Sequence, residues 1–267
     1  MPAMEALPHR TLHRAQDDKG IVEVIEDGVT RTLYFGSRAK QSCMLLDNPH
    51  VLVLSYTQAM TAALLFQPVP SKVLLLGLGG GSLACFLYHH FPDCQILAVE
   101  QRATVVETAR DFFAVPADER LRIHTDSALD YLARPDGETF DLILVDLFSA
   151  TGMDGELEEA AFFARCRERL APGGVVSVNL WASRPNVCRQ HIKRLNQACD
   201  GQVLELPLGD CGNLIALGLT QAFPVKRLTT LKTAAEALFQ RFGIDYPGYL
   251  DRLRRRNRFR LRFLFGH

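Results

Sequence analysis

Scarcity sets the first limits on this chain. It carries no net charge, with Lys plus Arg matching Asp plus Glu at 30 each, so the chain as a whole is neither basic nor acidic. Its seven cysteines, at 43, 85, 94, 166, 188, 199 and 211, are odd in number and contain no CxxC pair. They read as reduced thiols of a cytoplasmic protein rather than a disulfide framework. Eight histidines show no HxxxH or Cys/His ligand spacing, and His89 and His90 point to different faces of a helix, so no metal is expected. There is no apolar leader core at the start. The longest uncharged stretch, 73–90, holds four glycines and ends in paired histidines, which excludes a membrane span. Internal repeats and low-complexity tracts are also missing.

What is present is enough apolar material for a core. At 48% hydrophobic over 267 residues, the chain suits one large α/β domain with a small appendage. The charge balance is uneven: residues 252–262 contain seven arginines, and the first 250 residues hold 23 basic against 29 acidic side chains. A mildly acidic body therefore carries a basic tail.

Residues 1–19 are polar and read as a loose arm. Short β-like runs at 21–25, 31–35, 42–46 and 51–54 are separated by Asp27-Gly28, Gly36-Ser37 and Asn48-Pro49, which predicts a small antiparallel sheet. A helix is expected over 56–66, closed by Pro68 and Pro70. The rhythm then changes. Strands are predicted at 72–76, 95–99, 121–124, 141–145 and 174–180, alternating with helices at 82–91, 102–113, 127–133, 156–170 and 185–199. That alternation implies a parallel sheet with helices on both faces. Segments 202–206 and 212–219 are separated only by a short turn, so the last strand must return antiparallel, giving seven strands. The expected organisation is an N-terminal β unit with its linking helix at 1–68, a nucleoside-binding α/β domain at 69–222, and a C-terminal helix with the basic tail at 223–267.

The strand ends carry the chemistry. Val73 to Leu76 runs into Gly77, Leu78, Gly79, Gly80 and Gly81, and Ser82 opens a helix. Glycine allows the tight turn and close ligand approach, while the helix start offers free N–H groups and a partial positive charge. Ligands of such sheets sit beyond the carboxyl ends of the strands. Those ends read Gly77–Gly81, Glu100 with Gln101, Asp126 with Ser127, and Asp146. Glu100 can accept ribose hydroxyls or simply end a solvated strand. Asp126 can take an adenine amino proton or cap the following helix. Asp146 faces the place of a reacting group, or is a buried structural carboxylate. A dinucleotide site fits less well, because Ser82 occupies the third glycine position of GxGxxG. Trp181, the one Trp, with Phe148 and Tyr56, forms either an acceptor-pocket wall or core packing.

Over residues 20–220 the chain resembles the spermidine/spermine synthase family, within the S-adenosylmethionine-dependent methyltransferase folds. The residues that carry the resemblance are Tyr56-Thr-Gln-Ala-Met60, Val73–Ser82, Ala98-Val-Glu100, Thr125-Asp126-Ser127, Phe140–Asp146 and Ala171-Pro-Gly-Gly174. It implies a seven-stranded Rossmann-like methyltransferase sheet and a homodimer. It also implies that Gly77, Gly79, Gly81, Glu100, Gln101, Asp126, Ser127 and Asp146 hold S-adenosylmethionine or its decarboxylated form. Asp146 would be catalytic, with Tyr56, Gln58, Ser149 and Trp181 around the acceptor. Three acidic positions of the family are neutral here. The Asp of Gly-Gly-Gly-Asp-Gly is Gly80, the second Asp of Asp-x-x-Asp-Pro is Ser149, and Tyr-His-Glu becomes Tyr56-Thr57-Gln58. Asp154, Glu156, Glu158 and Glu159 either replace those charges or begin a helix.

A polyamine arrives protonated, so carboxylates must hold it and accept its proton. The neutral positions therefore point to methyl transfer to an unidentified small acceptor, with ordinary spermidine synthesis disfavoured. The alternatives are a divergent aminopropyltransferase and a non-catalytic nucleoside-binding or scaffold protein. The Arg-rich tail would meet an acidic partner, RNA or an anionic membrane, or pack on the acidic body.

Overall fold

The structure is a computed structural model that describes residues 9–135, 137–149, 152–153, 155–209, 212–223 and 225–258. Its first unit is a four-stranded antiparallel meander, β1 (Arg10–Asp17), β2 (Gly20–Glu26), β3 (Thr30–Tyr34) and β4 (Lys40–Leu45). Within the segment expected to be a loose arm, Arg10–Asp17 is instead the edge strand β1, and residues 1–8 lie outside the described residues. Its backbone pairs with β2 from Arg10↔Glu26 to Asp17↔Gly20, and an edge strand can be polar because only one face packs. Conversely, 51–54 is no strand. Val51 N–H donates to Asn48 O in a turn at Pro49, Leu52 is buried, and Leu54 stands as the N-cap of α1 (Ser55–Met60). The expected 56–66 helix is α1 followed by a 3₁₀ turn over Thr61–Leu65.

The α/β unit then unfolds in sequence order: β5 (Lys72–Leu76), α2 (Ser82–His90), β6 (Gln95–Glu100), α3 (Ala103–Phe112), β7 (Leu121–Thr125), α4 (Ala128–Ala133) and β8 (Phe140–Val145). A small ribbon of β9 (Phe148–Ser149) and β10 (Gly152–Met153) follows. After it come α5 (Phe162–Glu168), β11 (Leu170–Trp181), α6 (Pro185–Ala198), β12 (Val203–Pro207), β13 (Asn213–Leu219), α7 (Lys232–Phe242) and α8 (Tyr246–Asn257). The large sheet has seven strands in the order β12-β13-β11-β8-β5-β6-β7. β11, β8, β5, β6 and β7 are parallel, and β13 pairs antiparallel with both β11 and β12, as the hairpin requires.

The sheet divides the core into two layers. Leu75, Ala98, Leu144 and Leu217 face the layer holding α2, α3 and the α1 segment, while Leu74, Leu97, Ile143 and Val178 face the layer of α4, α5 and α6. The central strands are apolar on both faces, as a doubly covered parallel sheet demands. The helix expected over 156–170 is shorter: Gly155–Glu158 is a 3₁₀ turn, and α5 begins at Phe162. Glu156 does not lead that helix. Its Oε2 accepts from Leu129 N–H at 3.0 Å, at the start of α4.

The edge at β12 is closed by α8. Asn257 Oδ1 accepts from Glu205 N–H and its Nδ2 donates to Glu205 O, both at 3.0 Å, so one side chain reproduces the pairing of an absent neighbour strand. Arg252 to Arg256 are therefore helical rather than tail-like, and Arg256 pairs with Glu205. The rest of the basic tail, beyond Arg258, lies outside the described residues.

The meander is fastened to the sheet by a charged contact. Arg102, just after β6, donates from Nε and Nη2 to the two oxygens of Asp17 at 2.9 and 2.8 Å, and from Nη2 to Gly20 O. Its guanidinium lies over the Phe35 ring. Burial works against the Asp17 charge, yet hydrogen bonds from Arg102 and Lys19 N–H outweigh it and hold the carboxyl below its ordinary value. Arg102→Ala leaves that carboxylate without its fork, and a loss of about 2–3 kcal/mol in unfolding free energy by urea titration is expected. Because the Asp17 pKa is lowered by folding, its contribution is present above the ordinary carboxylate range and fades as pH falls below it.

Candidate active site

The carboxyl ends of β5, β6, β8 and β11 open onto one cavity of about 360 Å³. β4 and α1 supply the opposite wall through Lys40, Gln41, Ser42, Ser55, Tyr56 and Thr57. A smaller adjoining lobe is bordered by Gly77, Val99, Glu100, Gln101, Ala128, Asp146, Leu147, Phe148 and Glu156.

The floor is built by close approach. Gly77 has φ +94°, and a Cβ there would stand 2.2 Å from Asp146 O, so no other residue fits without moving β8. Gly77 N–H donates to Val99 O, and Asp146 N–H donates to Leu76 O, both at 2.8 Å. Three adjacent strand ends are thereby locked together. Glu100, which is buried, gathers the loops above them. Its Oε2 accepts from Leu78 N–H at 3.1 Å and Gly79 N–H at 3.5 Å, and its Oε1 accepts from Arg102 N–H at 3.0 Å. A carboxylate offers about four acceptor positions, so these bonds leave room for roughly one further donor. Burial raises the Glu100 pKa against the pull of those three N–H groups and the Arg102 charge.

Asp146 is the second carboxylate of the cavity. Asn179, at the carboxyl end of β11 and itself buried, donates from Nδ2 to Asp146 Oδ1 at 2.9 Å. Asn213, on β13, in turn donates from Nδ2 to Asn179 Oδ1 at 2.8 Å. The Tyr56 hydroxyl donates to Gln41 O at 3.0 Å and also stands in hydrogen-bonding relation to Asp146. Burial pushes the Asp146 carboxyl up to about 6, opposed by Asn179 and Tyr56 and reinforced by the nearby Glu100 charge. A carboxylate that titrates close to neutrality is well matched to accept a proton.

The predicted site residues sort clearly by position. Gly77, Gly79, Glu100, Asp146, Tyr56 and Trp181 line the main cavity, and Gln101 borders the smaller lobe. Asp126, Ser127, Gly81 and Gln58 line neither. Asp126 Oδ2 accepts from Arg134 Nη2 at 2.6 Å, and the helix cap that Asp126 was one candidate for is Ser127, whose Oγ accepts from Asp130 N–H. Gly81 is the N-cap of α2 and abuts Val115. Gln58 Nε2 donates to Leu52 O. The Ser149 side chain and Asp154 lie outside the described residues. Missed by sequence reasoning were Asn179, Asn213, Lys40, Gln41 and Ser42. An Asn ending the apolar run Val175–Val178 was a legible signal for the first, whereas β4 reaches the site only through tertiary packing.

Position 80 has a specific neighbour. A Cβ on Gly80 would meet Ser42 Oγ at 2.7 Å, Ser42 Cβ at 2.8 Å and Phe113 at 3.1 Å. The space where the resembled family carries an Asp is therefore occupied by the meander and α3.

Comparison with known proteins places these features in context. The family model "Spermine/spermidine synthase domain" matches residues 54–207. A polyamine aminopropyltransferase of Chromobacterium violaceum is 35% identical over 257 residues, 96% of this chain and 93% of that protein. The human "eEF1A lysine and N-terminal methyltransferase" is 33% identical over 132 residues, 45% of this chain and 18% of that protein. Among solved structures, a probable spermidine synthase from Corynebacterium glutamicum superposes with TM-score 0.71 at 18% identity, covering 85% of this chain and 87% of that one. Human methyltransferase-like protein 13 in complex with SAH gives 0.62 at 23% identity, covering 70% and 93%.

Because folding raises the Asp146 pKa, its ionised form destabilises the protein: the favourable contribution is full below the ordinary carboxylate range and is lost as pH rises through about 6. Asp146→Asn is accordingly expected to unfold about 1–3 kcal/mol later than the parent at pH 8, with the difference vanishing near pH 4. Urea titrations at the two pH values check this.

Proposed function

Because the chain belongs to the spermine/spermidine synthase family, we propose that its cavity binds S-adenosylmethionine and that Asp146 assists methyl transfer to a small, weakly charged acceptor. The observation that carries the reading is the charge of the cavity wall. Among the described residues lining the main cavity the carboxylates are Glu100 and Asp146, and Glu100 is largely engaged by backbone N–H groups; Glu156 borders only the smaller lobe and accepts from Leu129 N–H. Gly80 cannot regain an acid without displacing Ser42. A polycationic acceptor would thus meet one carboxylate, whereas each lost charge-assisted contact is worth roughly 1.5–3 kcal/mol.

The residues present fit the nucleoside. Space above Gly79 is open, with Gln41 O at 3.9 Å the nearest atom to an added Cβ, so a ligand can lie against that backbone. The remaining acceptor position of Glu100 suits a ribose hydroxyl, and the smaller lobe with Gln101, Ala128 and Glu156, about 20 Å³ as it stands, would have to widen to take the base. Lys40 lines the main cavity. Its ammonium complements a carboxylate such as the one S-adenosylmethionine carries and its decarboxylated form lacks, and it opposes an approaching polyamine.

When bound, the sulfonium supplies an electrophilic carbon and leaves as a neutral thioether. The protein's own contribution is orientation and proton removal. Phe148 and Trp181 give the acceptor half of the cavity apolar walls, which limit water around the reacting atoms. Asn179, held by Asn213, fixes one oxygen of Asp146, Tyr56 is its second partner, and the carboxylate's remaining lone pairs can take the acceptor's proton. Aminopropyl transfer remains the second reading. It is favoured by the relatives named polyamine aminopropyltransferase that match almost the whole chain.

Calorimetry with S-adenosylmethionine, its decarboxylated form and methylthioadenosine decides between them. Tighter binding of S-adenosylmethionine is expected, with Lys40→Ala lowering that affinity about threefold to tenfold and leaving methylthioadenosine unaffected. Preference for the decarboxylated compound would instead establish the second reading. With an acceptor in hand, kcat/KM should rise with pH through about 6 and then level, following Asp146. Asp146→Asn should remove activity while retaining nucleoside binding.

A further inference from the structure

Three imidazoles meet at a place that the catalytic reading does not use. His89 and His90 are the last two residues of α2, and His50 comes from the 46–54 segment that joins β4 to α1. One ring nitrogen from each can be chosen so that all three lie within 4.8 Å of one another. His50 stacks on His89 with ring centroids 3.7 Å apart, and His90 stands edge-on to both. Phe86 and Phe242 pack against His90 and fix its ring from behind. None of the three histidines lines the cavity. Seven residues of α2, Ser82 to Tyr88, separate them from the glycine turn, which at 1.5 Å per residue is about 11 Å toward the opposite edge of the sheet.

We propose that His50, His89 and His90 form a binding site for a borderline divalent cation such as Zn²⁺ or Ni²⁺. Imidazole nitrogens without carboxylates select such ions over Mg²⁺ or Ca²⁺. A tetrahedral ion with Zn–N of about 2.0–2.1 Å needs ligand nitrogens some 3.4 Å apart. The observed set must therefore close by roughly 1.5 Å at its widest. Rotation of the exposed His89 ring out of the stack supplies that movement, since the parallel arrangement does not itself aim two lone pairs at one ion. Arg241, whose guanidinium donates to His90 O, is the cation beside the site and weakens its hold on a metal. The fourth position is left to water on the exposed His89 side.

The ion would tie the β4–α1 connection to α2. Both β4 and α1 carry cavity-lining residues, so the tether bears on the wall that faces Asp146 without touching the reacting groups.

The test uses the full chain without a polyhistidine tag, titrated with Zn²⁺ in a calorimeter and with Co²⁺ in a spectrophotometer. One equivalent of Zn²⁺, a rise in thermal midpoint on addition, and four-coordinate Co²⁺ absorption bands are expected. His50→Ala and, separately, the exposed His89→Ala should each weaken Zn²⁺ binding by roughly tenfold or more while keeping the parent's circular dichroism. Stoichiometric binding that survives both substitutions would place the metal elsewhere and overturn the proposal, as would the absence of saturable binding in the parent protein.

Discussion

One buried carboxylate holds the working end of this molecule together. Glu100 accepts the N–H groups of Leu78 and Gly79 from the loop after β5 and of Arg102 from its own loop. Arg102 in turn grips Asp17 and Gly20 at the tip of the first hairpin. A chain of polar contacts thus runs from the nucleotide-type turn to the edge of the N-terminal meander. The sheet could form without it, because Val73, Leu97, Leu142 and their neighbours pack irrespective of Glu100. The cavity could not. Its far wall is β4, which is held over the site by the Arg102 contact at the hairpin tip together with the Ser42–Ser82 and Tyr56–Gln41 hydrogen bonds and an apolar core shared with α2 and α3. Burying Glu100 costs solvation, and the three N–H donors offset that cost without neutralising the group.

Asp146 shares the burial that raises both carboxyls but has fewer partners to offset it. It has one amide, Asn179, and one hydroxyl, Tyr56, where Glu100 has three backbone donors and a guanidinium neighbour. The result is a carboxyl at the end of an apolar strand, pushed up to about 6. A structural carboxylate would be better satisfied. Stability forgone at one position is what a proton-accepting group requires, since an acid held far below neutrality accepts a proton poorly.

The fold was legible wherever local pattern and tertiary environment agreed. Apolar runs at 73–76, 96–99 and 142–145 could be nothing but central strands, and the short turn between 207 and 213 dictated the antiparallel return. The reading failed where the environment overrode the pattern. Arg10–Asp17 is polar yet a strand, because an edge strand is held by its backbone and by one ion pair. Residues 51–54 are apolar yet a turn, because Pro49 redirects the chain and Leu52 buries itself from a loop. In the site, the strand-end residues Gly77, Glu100 and Asp146 converge as their positions in the chain implied. Asp126 occupies an equivalent strand end but turns to Arg134, and nothing local distinguishes it from Glu100. Asn213 and Ser42 enter from distant segments, so no spacing rule could have found them. The same holds for His50, which lies 39 residues before His89.

The difference at position 80 is better understood as a repacking than as a deletion. Had an acid simply been lost, a gap would stand beside the glycine turn. Instead Ser42 Oγ lies 2.8 Å from Ser82 Oγ, and both Ser42 and Phe113 crowd the point from which an Asp side chain would project. The hydroxyl pair satisfies itself and the neighbouring Cys43 carbonyl, so the wall is closed and uncharged. Restoring an acid there by Gly80→Asp would drive a carboxylate into a filled, partly apolar space and separate β4 from α2 before it could hold any cation. Placing an acid at this position would need coordinated change in the meander, the glycine turn and α3. The closed packing beside the glycine turn is thus shared by three elements, and a single substitution in the turn cannot open it.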